Sequence, residues 1–190
     1  MKHGKIYLCS CVFYAIFSLF FSGCASNQSG QQDAANKPVV PLDKPYTKLL
    51  VSEIEASPEL KSTYDQQLKT YQSTLIASLK KTDKFNDVQE NYTPGSVVNG
   101  ALIVKPLLKD MRIAGGAARF FAGAMAGSSY MYIELSLIDS GNQAVLRKEE
   151  LSSANNPFAA VWTSGATDQS LPSDMAEITA KYIDQAVPGK

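Results

Sequence analysis

Cysteine and histidine are scarce in this chain, and all of them lie near its N-terminus. The cysteines are Cys9, Cys11 and Cys24, and the single histidine is His3. If the chain is cleaved before Cys24, one cysteine and no histidine remain. A single cysteine excludes an internal disulfide framework and a thiolate zinc site. Because histidine is the commonest general base and metal ligand, we expect no metal, no cofactor and no enzymatic activity.

An excess of charge of either sign is also missing. The chain has 18 Lys plus Arg against 18 Asp plus Glu. Residues 1–23 contain Lys2 and Lys5 and no acidic residue, so their removal leaves 16 (18 minus 2) basic side chains against 18 acidic ones. Neutralising the phosphates of a nucleic acid needs a basic surface. We therefore expect no nucleic acid partner.

Long hydrophobic runs are absent except at the N-terminus. A basic start, Met1–Lys5, precedes the uncharged 16-residue run Ile6–Phe21, and the small residues Ser22 and Gly23 follow. This is the layout of a secretory signal. A signal anchor that spans the membrane is the first alternative, but a span needs roughly 20 apolar residues. An ordinary cleaved signal is the second alternative.

The cysteine directly after the small pair favours a lipoprotein signal. The stretch Leu19–Cys24 looks like a bacterial lipobox, which predicts removal of residues 1–23 and lipidation of Cys24. Phe21 departs from the pattern, since lipoboxes usually carry Leu or another aliphatic residue there. A diacylglycerol in thioether linkage to Cys24, with a further acyl chain on its nitrogen, would supply the two or more chains that stable anchoring needs.

The residues after Cys24 indicate the membrane to which the chain is anchored and the tether that joins the anchor to the domain. Ala25 and Ser26 follow, with no Asp, which in a Gram-negative host favours the outer membrane on its periplasmic side; the inner membrane stays open as an alternative. Residues 24–45 are rich in Ser, Gln, Asn and Pro, and we expect a flexible tether there. Residues 46–187 then form a single α/β periplasmic domain.

Hydrophobic periodicity in residues 46–187 predicts strands and helices in a definite order. The predicted strands cover 46–55, 85–89, 97–104, 130–138 and 143–151. One helix begins at Ser57 or restarts at Ser62, and a second begins at Pro172. We expect Pro106 to cause a bend or bulge, beyond which the strand continues to Arg112. The order predicts an α/β (α+β) two-layer sandwich, with a mixed sheet of about five strands and two helices on one face.

The segment 114–129, AGGAARFFAGAMAGSS, is the most unusual part of the predicted domain. Gly123 and Gly127 are four residues apart, as in small-xxx-small helix contacts. The segment is either a hairpin connection or short helix, or a surface that touches a membrane or another copy of the chain. Its glycines precede no Lys-Ser or Lys-Thr, which argues against a phosphate loop. The candidate interaction surface consists of Arg119, Phe120, Phe121, Gly123, Met125 and Gly127.

Candidates for catalysis are weak. Ser128 and Ser129 lie outside any G-x-S-x-G motif. Glu149 and Glu150 are adjacent, so on a strand they point to opposite faces and cannot act as a carboxylate pair. Trp162 is more often a packing residue in such a loop than a platform for a sugar.

Residues Tyr46–Ile183 resemble the small bacterial lipoproteins of the domain of unknown function 4410 family. The resemblance rests on Leu49-Leu50-Val51, Leu79-Lys80-Lys81, Val98-Asn99-Gly100, the run Arg119–Gly123 leading to Gly127, and the strand Ile133–Ile138 ending in Asp139-Ser140-Gly141. Ala124 and Ala126 depart from it, since such sequences are often richer in glycine there, and the turn lacks the Thr common before its Gly. The resemblance implies an envelope lipoprotein and supplies no catalytic residue.

Two functions therefore lead. The first is an envelope module that binds a protein partner or itself and acts as an accessory to another machine. The alternative is a structural or stress-related envelope lipoprotein without a stoichiometric partner. An enzyme or a glycan-binding protein is the least favoured.

Overall fold

Five strands and two helices make up the part of the chain that the structure, a computed structural model, describes. That part is residues 38–90, 92, 97–113, 129–153 and 169–189. The strands are β1 (Lys48–Val51), β2 (Asp87–Gln89), β3 (Ala101–Arg112), β4 (Tyr130–Asp139) and β5 (Val145–Ser152). The helices are α1 (Pro58–Lys80) and α2 (Leu171–Ala186).

The strands form one mixed sheet in the order β2-β1-β3-β4-β5. β1 is parallel to both β2 and β3, whereas β3–β4 and β4–β5 are antiparallel. The predicted fold class, an α+β sandwich with a five-stranded mixed sheet and two helices, is confirmed.

The main core lies between the helices and one face of the sheet. Alternate strand residues such as Leu49, Leu102 and Leu135 pack there with Leu75 of α1 and Ile183 of α2. This face is called the helix face below. A smaller cluster of Leu50, Ala101 and Ile103 lies on the opposite, open face, where Tyr92 and Val98 pack against it. The alternation of buried side chains between the two faces follows from the pleat of the strands.

Helix α1 begins at the first of the two predicted starts. The side chain of Ser57 accepts a hydrogen bond from the Leu60 amide at 3.2 Å, and Pro58 occupies the first turn. Tyr64 departs from helical geometry, with φ −122° and ψ 26°. It lies two residues after Ser62, the alternative predicted start. Helical spacing predicts an apolar stripe of Tyr64, Leu68, Tyr71, Leu75, Ile76 and Leu79 on this helix, and all of these are buried except Tyr64, which is partly buried. The predicted stripe of α2, from Met175 to Ala186, is buried as well.

Pairing is interrupted at Pro106, as predicted, but only on the β1 side of β3. Val51 pairs with Val104 and an isolated bridge joins Glu55 to Leu107, so the chain on the β1 side has one extra residue opposite Pro106. On the β4 side Pro106 pairs in register with Leu135, and the register shift falls between Leu108 and Asp110. Proline has no N–H, so Pro106 cannot donate the ladder hydrogen bond that another residue would donate to the neighbouring strand. The missing hydrogen bond is on the β1 side, just beyond Val51, the last residue of β1.

A glutamine of α1 substitutes for the missing bond. In a regular parallel ladder the residue at position 106 would donate to the Ser52 carbonyl. Instead Gln72 Nε2 donates to that carbonyl at 3.1 Å, and Gln72 Oε1 accepts from the Ile54 amide at 3.1 Å. Pairing resumes one residue later, where the Glu55 amide donates to the Pro106 carbonyl at 3.0 Å. Gln72 thus satisfies the backbone where β1 is interrupted.

The sheet has two distinct ends. The proximal end holds the starts of β1 and β3, the turn 139–144 and the C-terminus of α2; the distal end holds the end of β3 and the start of β4. With about 3.3 Å per residue, β3 separates them by roughly 36 Å.

Candidate functional site

Most of the site residues predicted from the sequence lie outside the described residues. These are Cys24, Arg119, Phe120, Phe121, Gly123, Met125, Gly127, Ser128 and Trp162. The described residues that flank the candidate interaction surface are Ile113 and Ser129, both at the distal end. Glu149 pairs with Leu135 and Glu150 with Glu134, so the two acids face opposite sides of the sheet, as predicted.

Residues 38–46, the docked segment, lie against the proximal end of the domain. The Leu42 amide donates to the Ala186 carbonyl at the end of α2 at 2.7 Å, and the Leu42 side chain is buried in the main core. Val39 packs against the same core, and the Arg147 guanidinium donates to the Val40 carbonyl. The described part of the predicted tether is therefore held on the domain.

Asp139, the last residue of β4, ties the docked segment to the sheet. Its Oδ2 accepts from the Tyr46 hydroxyl at 2.7 Å and pairs with Lys44 Nζ at 2.5 Å. Its Oδ1 accepts from the Gly141 amide at 2.8 Å. The four residues Lys44, Tyr46, Asp139 and Gly141 are called the Asp139 cluster. Asp139 and Tyr46 are buried, at 6% and 2% exposure, whereas the Lys44 side chain is 59% exposed.

The electrostatics of the Asp139 cluster favour one protonation state. The hydrogen bonds from Lys44, Tyr46 and the Gly141 amide hold the pKa of Asp139 well below its usual range. Burial and the bond to Asp139 raise the pKa of the Tyr46 hydroxyl, and the bond to Asp139 raises the pKa of Lys44. At neutral pH the cluster is a carboxylate held by a cation and a neutral phenol. The three side chains therefore hold the docked segment in these protonation states at neutral pH.

The turn after Asp139 is joined to the start of β3. Ser140 is fully buried; its amide donates to the Ala101 carbonyl at 3.1 Å, and its hydroxyl accepts from the Val98 amide at 2.9 Å. Gln143 adopts a positive φ of 59° and its side chain donates to the Ser140 carbonyl at 2.9 Å. These bonds give the proximal end a rigid backbone, to which the docked segment is attached through Asp139.

The open face carries charged side chains in its central part. Glu134 lies 2.8 Å from Lys148 and 3.9 Å from Lys109, and Lys105 pairs with Glu55 at 3.0 Å. The hydrogen bond from Lys148 lowers the pKa of Glu134. Exposed pairs of this kind contribute about 0–1 kcal/mol each. They make this face polar.

At the distal end the open face becomes aromatic. The rings of Tyr130 and Tyr132 lie 5.3 Å apart, centroid to centroid, and the Tyr130 hydroxyl donates to Asp110 Oδ2 at 3.1 Å. This pair stands next to the residues that flank the candidate interaction surface. Tyrosines that combine apolar area with a polar tip are common in protein interfaces.

In the ranges that the structure describes, no group of three or more His, Cys, Asp or Glu side chains is arranged to hold a metal ion. Of the described helices, none is long and apolar enough to cross a membrane.

The Asp139 cluster was missed by sequence reasoning. The sequence predicts the turn at Asp139 correctly, but it assigns Lys44 to the tether and Tyr46 to the start of a strand. The contact joins residues 93 positions apart, and no local pattern reveals such a pairing. The one available signal is a tyrosine directly after Pro45 at the edge of a segment otherwise poor in aromatics.

The class of protein follows from these features: a two-layer α/β sandwich domain whose N-terminal segment is docked at one end of the sheet. No family model and no curated protein matches the chain. The resemblance to the domain of unknown function 4410 family therefore stays a prediction.

Several solved structures resemble the fold. A PelC dodecamer from Paraburkholderia phytofirmans is 16% identical with a TM-score of 0.45, and the match covers 78% of this chain and 94% of that one. A Xanthomonas campestris protein of the domain of unknown function 330 family is 11% identical with a TM-score of 0.45, covering 80% and 87%. A candidate lipoprotein from Caulobacter crescentus is 16% identical with a TM-score of 0.35, covering 73% and 87%. Similarity at this level assigns neither a family nor a function.

Proposed function

We propose that this chain is a bacterial envelope lipoprotein that acts as a non-enzymatic protein-interaction or accessory module. Its anchor is lipid on Cys24, and it faces the periplasm from the outer membrane. The signal layout of residues 1–24 supports the anchor, and the absence of Asp after Cys24 supports the outer membrane.

The observation that supports the interaction role is that the two ends of the domain differ. Leu42 and the Asp139 cluster hold the docked segment at the proximal end, which is the side that leads back to Cys24. Ile113 and Ser129, which flank the candidate interaction surface, lie at the distal end, roughly 36 Å away along β3. A domain tethered from one end presents the opposite end to a partner.

Cross-linking of intact envelopes tests the interaction role. Wild type is compared with the double variant Gly123→Leu, Gly127→Leu, and with Gly189→Leu as a matched control. Gly189 has open space where a side chain would extend, so this control adds a leucine away from the candidate surface. We expect a stoichiometric cross-linked complex that the double variant loses and Gly189→Leu keeps.

The alternative, a structural or stress-related lipoprotein, makes the opposite prediction. A complex unchanged in the folded double variant, or no stoichiometric complex in wild type, would favour that alternative. Circular dichroism of each purified variant establishes that the domain is folded. Mass spectrometry of wild type and Cys24→Ala tests the anchor separately, since only wild type should carry acyl chains.

A further inference from the structure

The exposed large hydrophobic side chains of the described residues share one end of the domain. They are Val40, Val97, Val145 and Leu146, at 64%, 62%, 57% and 38% exposure. We call this set the proximal patch. Scattered exposed aliphatic residues are ordinary on a protein surface, but these four are grouped.

Hydrogen bonds and strand pairing place each member of the proximal patch at this end of the domain. Val145 begins β5 and pairs with Ile138, next to the Asp139 turn, and Leu146 follows it. Val97 precedes Val98, whose amide binds Ser140 of the same turn. Val40 belongs to the docked segment, and its carbonyl accepts from Arg147, the residue after Leu146.

The length of chain before the docked segment limits what can reach this patch. Pro38 is 14 residues after Cys24. The composition of these residues predicts a flexible tether, and a tether of that length would have a root-mean-square span of roughly 20 Å and a fully extended span of at most about 50 Å. A lipid on Cys24 therefore keeps the bilayer close to the proximal end, where its effective concentration is high.

We propose that the proximal patch rests in the interface of the membrane to which Cys24 is anchored. This inference depends on the proposed lipid anchor and adds an orientation to it. The valine and leucine side chains enter the boundary between headgroups and acyl chains, as apolar faces of interfacial segments do. The domain stands on its proximal end, with its distal end away from the bilayer.

Fluorescence quenching by brominated phospholipids tests the orientation. The full lipidated protein is placed in phosphatidylethanolamine–phosphatidylglycerol vesicles with Trp162→Phe as background, so that an introduced tryptophan is the only one. Val145→Trp reports on the proximal patch, and Lys61→Trp, exposed near the start of α1, is the matched control. Because interfacial side chains lie about 5–10 Å into the headgroup boundary, we expect roughly twofold quenching of Val145→Trp. Lys61→Trp should keep its intensity.

The outcomes separate this inference from the proposed function. If the protein floats with the vesicles and carries acyl chains, but Val145→Trp is quenched no more than Lys61→Trp, the orientation is wrong and the anchor stands. If the protein neither floats nor carries lipid, the proposed anchor is wrong, and the orientation that depends on it is wrong as well.

A second copy of the chain is the competing occupant of the patch. The variant Val145→Cys adds the only free thiol to a mature chain whose Cys24 is lipidated. Disulfide dimers of Val145→Cys that still form after the protein has been diluted among excess vesicles would overturn the proposal. Monomers with quenched Val145→Trp support it.

Discussion

At the scale of single residues, two polar side chains hold parts of the chain that apolar packing leaves unspecified. Gln72 donates to the Ser52 carbonyl and accepts from the Ile54 amide, and so replaces the ladder bond that Pro106 cannot make. Asp139 binds Lys44 and Tyr46 and so closes the proximal end. A partly buried backbone group without a hydrogen-bond partner is costly, so the loss of either side chain should lower the free energy of unfolding.

Replacement of Gln72 should therefore destabilise the domain. Gln72→Ala leaves the Ser52 carbonyl and the Ile54 amide without this partner, and we expect the free energy of unfolding to fall by about 1–3 kcal/mol. Gln66→Ala, an exposed change on the same helix, is the control and should alter it by less than about 0.5 kcal/mol. Urea denaturation measures both. Equal effects of the two variants would mean that Gln72 does not support the interrupted strand.

Replacement of Asp139 should change how stability depends on pH. The folded-state pKa of Asp139 lies below its unfolded value of about 3.9, so its charged form stabilises the fold above that value. This contribution declines as the pH falls from about 4 toward the lowered pKa. We expect Asp139→Asn to be less stable than wild type at pH 7, with a smaller further loss between pH 7 and pH 3.

Urea midpoints at the two pH values test this expectation. Asp83→Asn, an exposed change in the loop after α1, serves as the control and should follow wild type. If Asp139→Asn lost as much stability on acidification as wild type does, the Asp139 cluster would not contribute to the acid sensitivity of the domain.

At the scale of elements, the two helices are joined by packing and by one buried hydrogen bond. The Tyr71 hydroxyl of α1 donates to Thr179 Oγ1 of α2 at 3.1 Å, and Thr179 donates onward to the Met175 carbonyl at 2.8 Å. Both side chains are fully buried, and burial raises the pKa of Tyr71 well above its ordinary value. Tyr71 is therefore a neutral donor at any ordinary pH.

The two ends of this hydrogen bond should respond differently to removal. Tyr71→Phe removes a donor and leaves Thr179 bonded to Met175, so we expect a loss of about 0.5–1.5 kcal/mol. Thr179→Val leaves the buried Tyr71 hydroxyl without its partner, and we expect about 1–3 kcal/mol. Thermal or urea unfolding of both single variants and the double variant gives the comparison. A double variant less stable than Thr179→Val by the full Tyr71→Phe amount would show that the two residues act independently.

Sequence patterns predicted the elements well because their causes are local. The stripe from Leu68 to Leu79 and the alternation of Met131, Ile133, Leu135 and Leu137 each reflect the period of one helix or strand. Pro106 shows the limit of this reasoning. A proline predicts an interrupted hydrogen bond, but only the tertiary structure shows that the interruption is on the β1 side and that Gln72 bonds to the backbone there.

At the scale of the whole domain, the N-terminal docked segment lies at one end of the sheet. The docked segment joins the core through Leu42 and the Asp139 cluster at the proximal end. Ile113 and Ser129, which flank the candidate interaction surface in the sequence, lie at the distal end. The proposed membrane contact and these two flanking residues therefore lie at opposite ends of one sheet.

Docking of the N-terminal segment should contribute to global stability. Leu42 is 8% exposed and Val40 is 64% exposed, although they are two residues apart. We expect Leu42→Ala to lower the free energy of unfolding by about 2–5 kcal/mol and Val40→Ala to change it by less than about 0.5 kcal/mol. Urea unfolding of the full chain tests both. If Leu42→Ala had only a small effect, residues 38–45 would belong to the tether, as the sequence predicts, and would not contribute to the stability of the domain.

The sequence by itself determined the strands, the helices and the two-layer fold class, because hydrophobic periods of 2 and 3.6 residues are properties of neighbouring positions. It is also the only basis for the predicted lipid anchor at Cys24. The tertiary structure alone decided that residues 38–46 dock on the domain, that Gln72 replaces a ladder bond, and that Asp139 binds residues more than 90 positions earlier. These contacts depend on how the elements are packed and in which register the strands pair. Register and packing join residues far apart in the chain, and no local pattern encodes them.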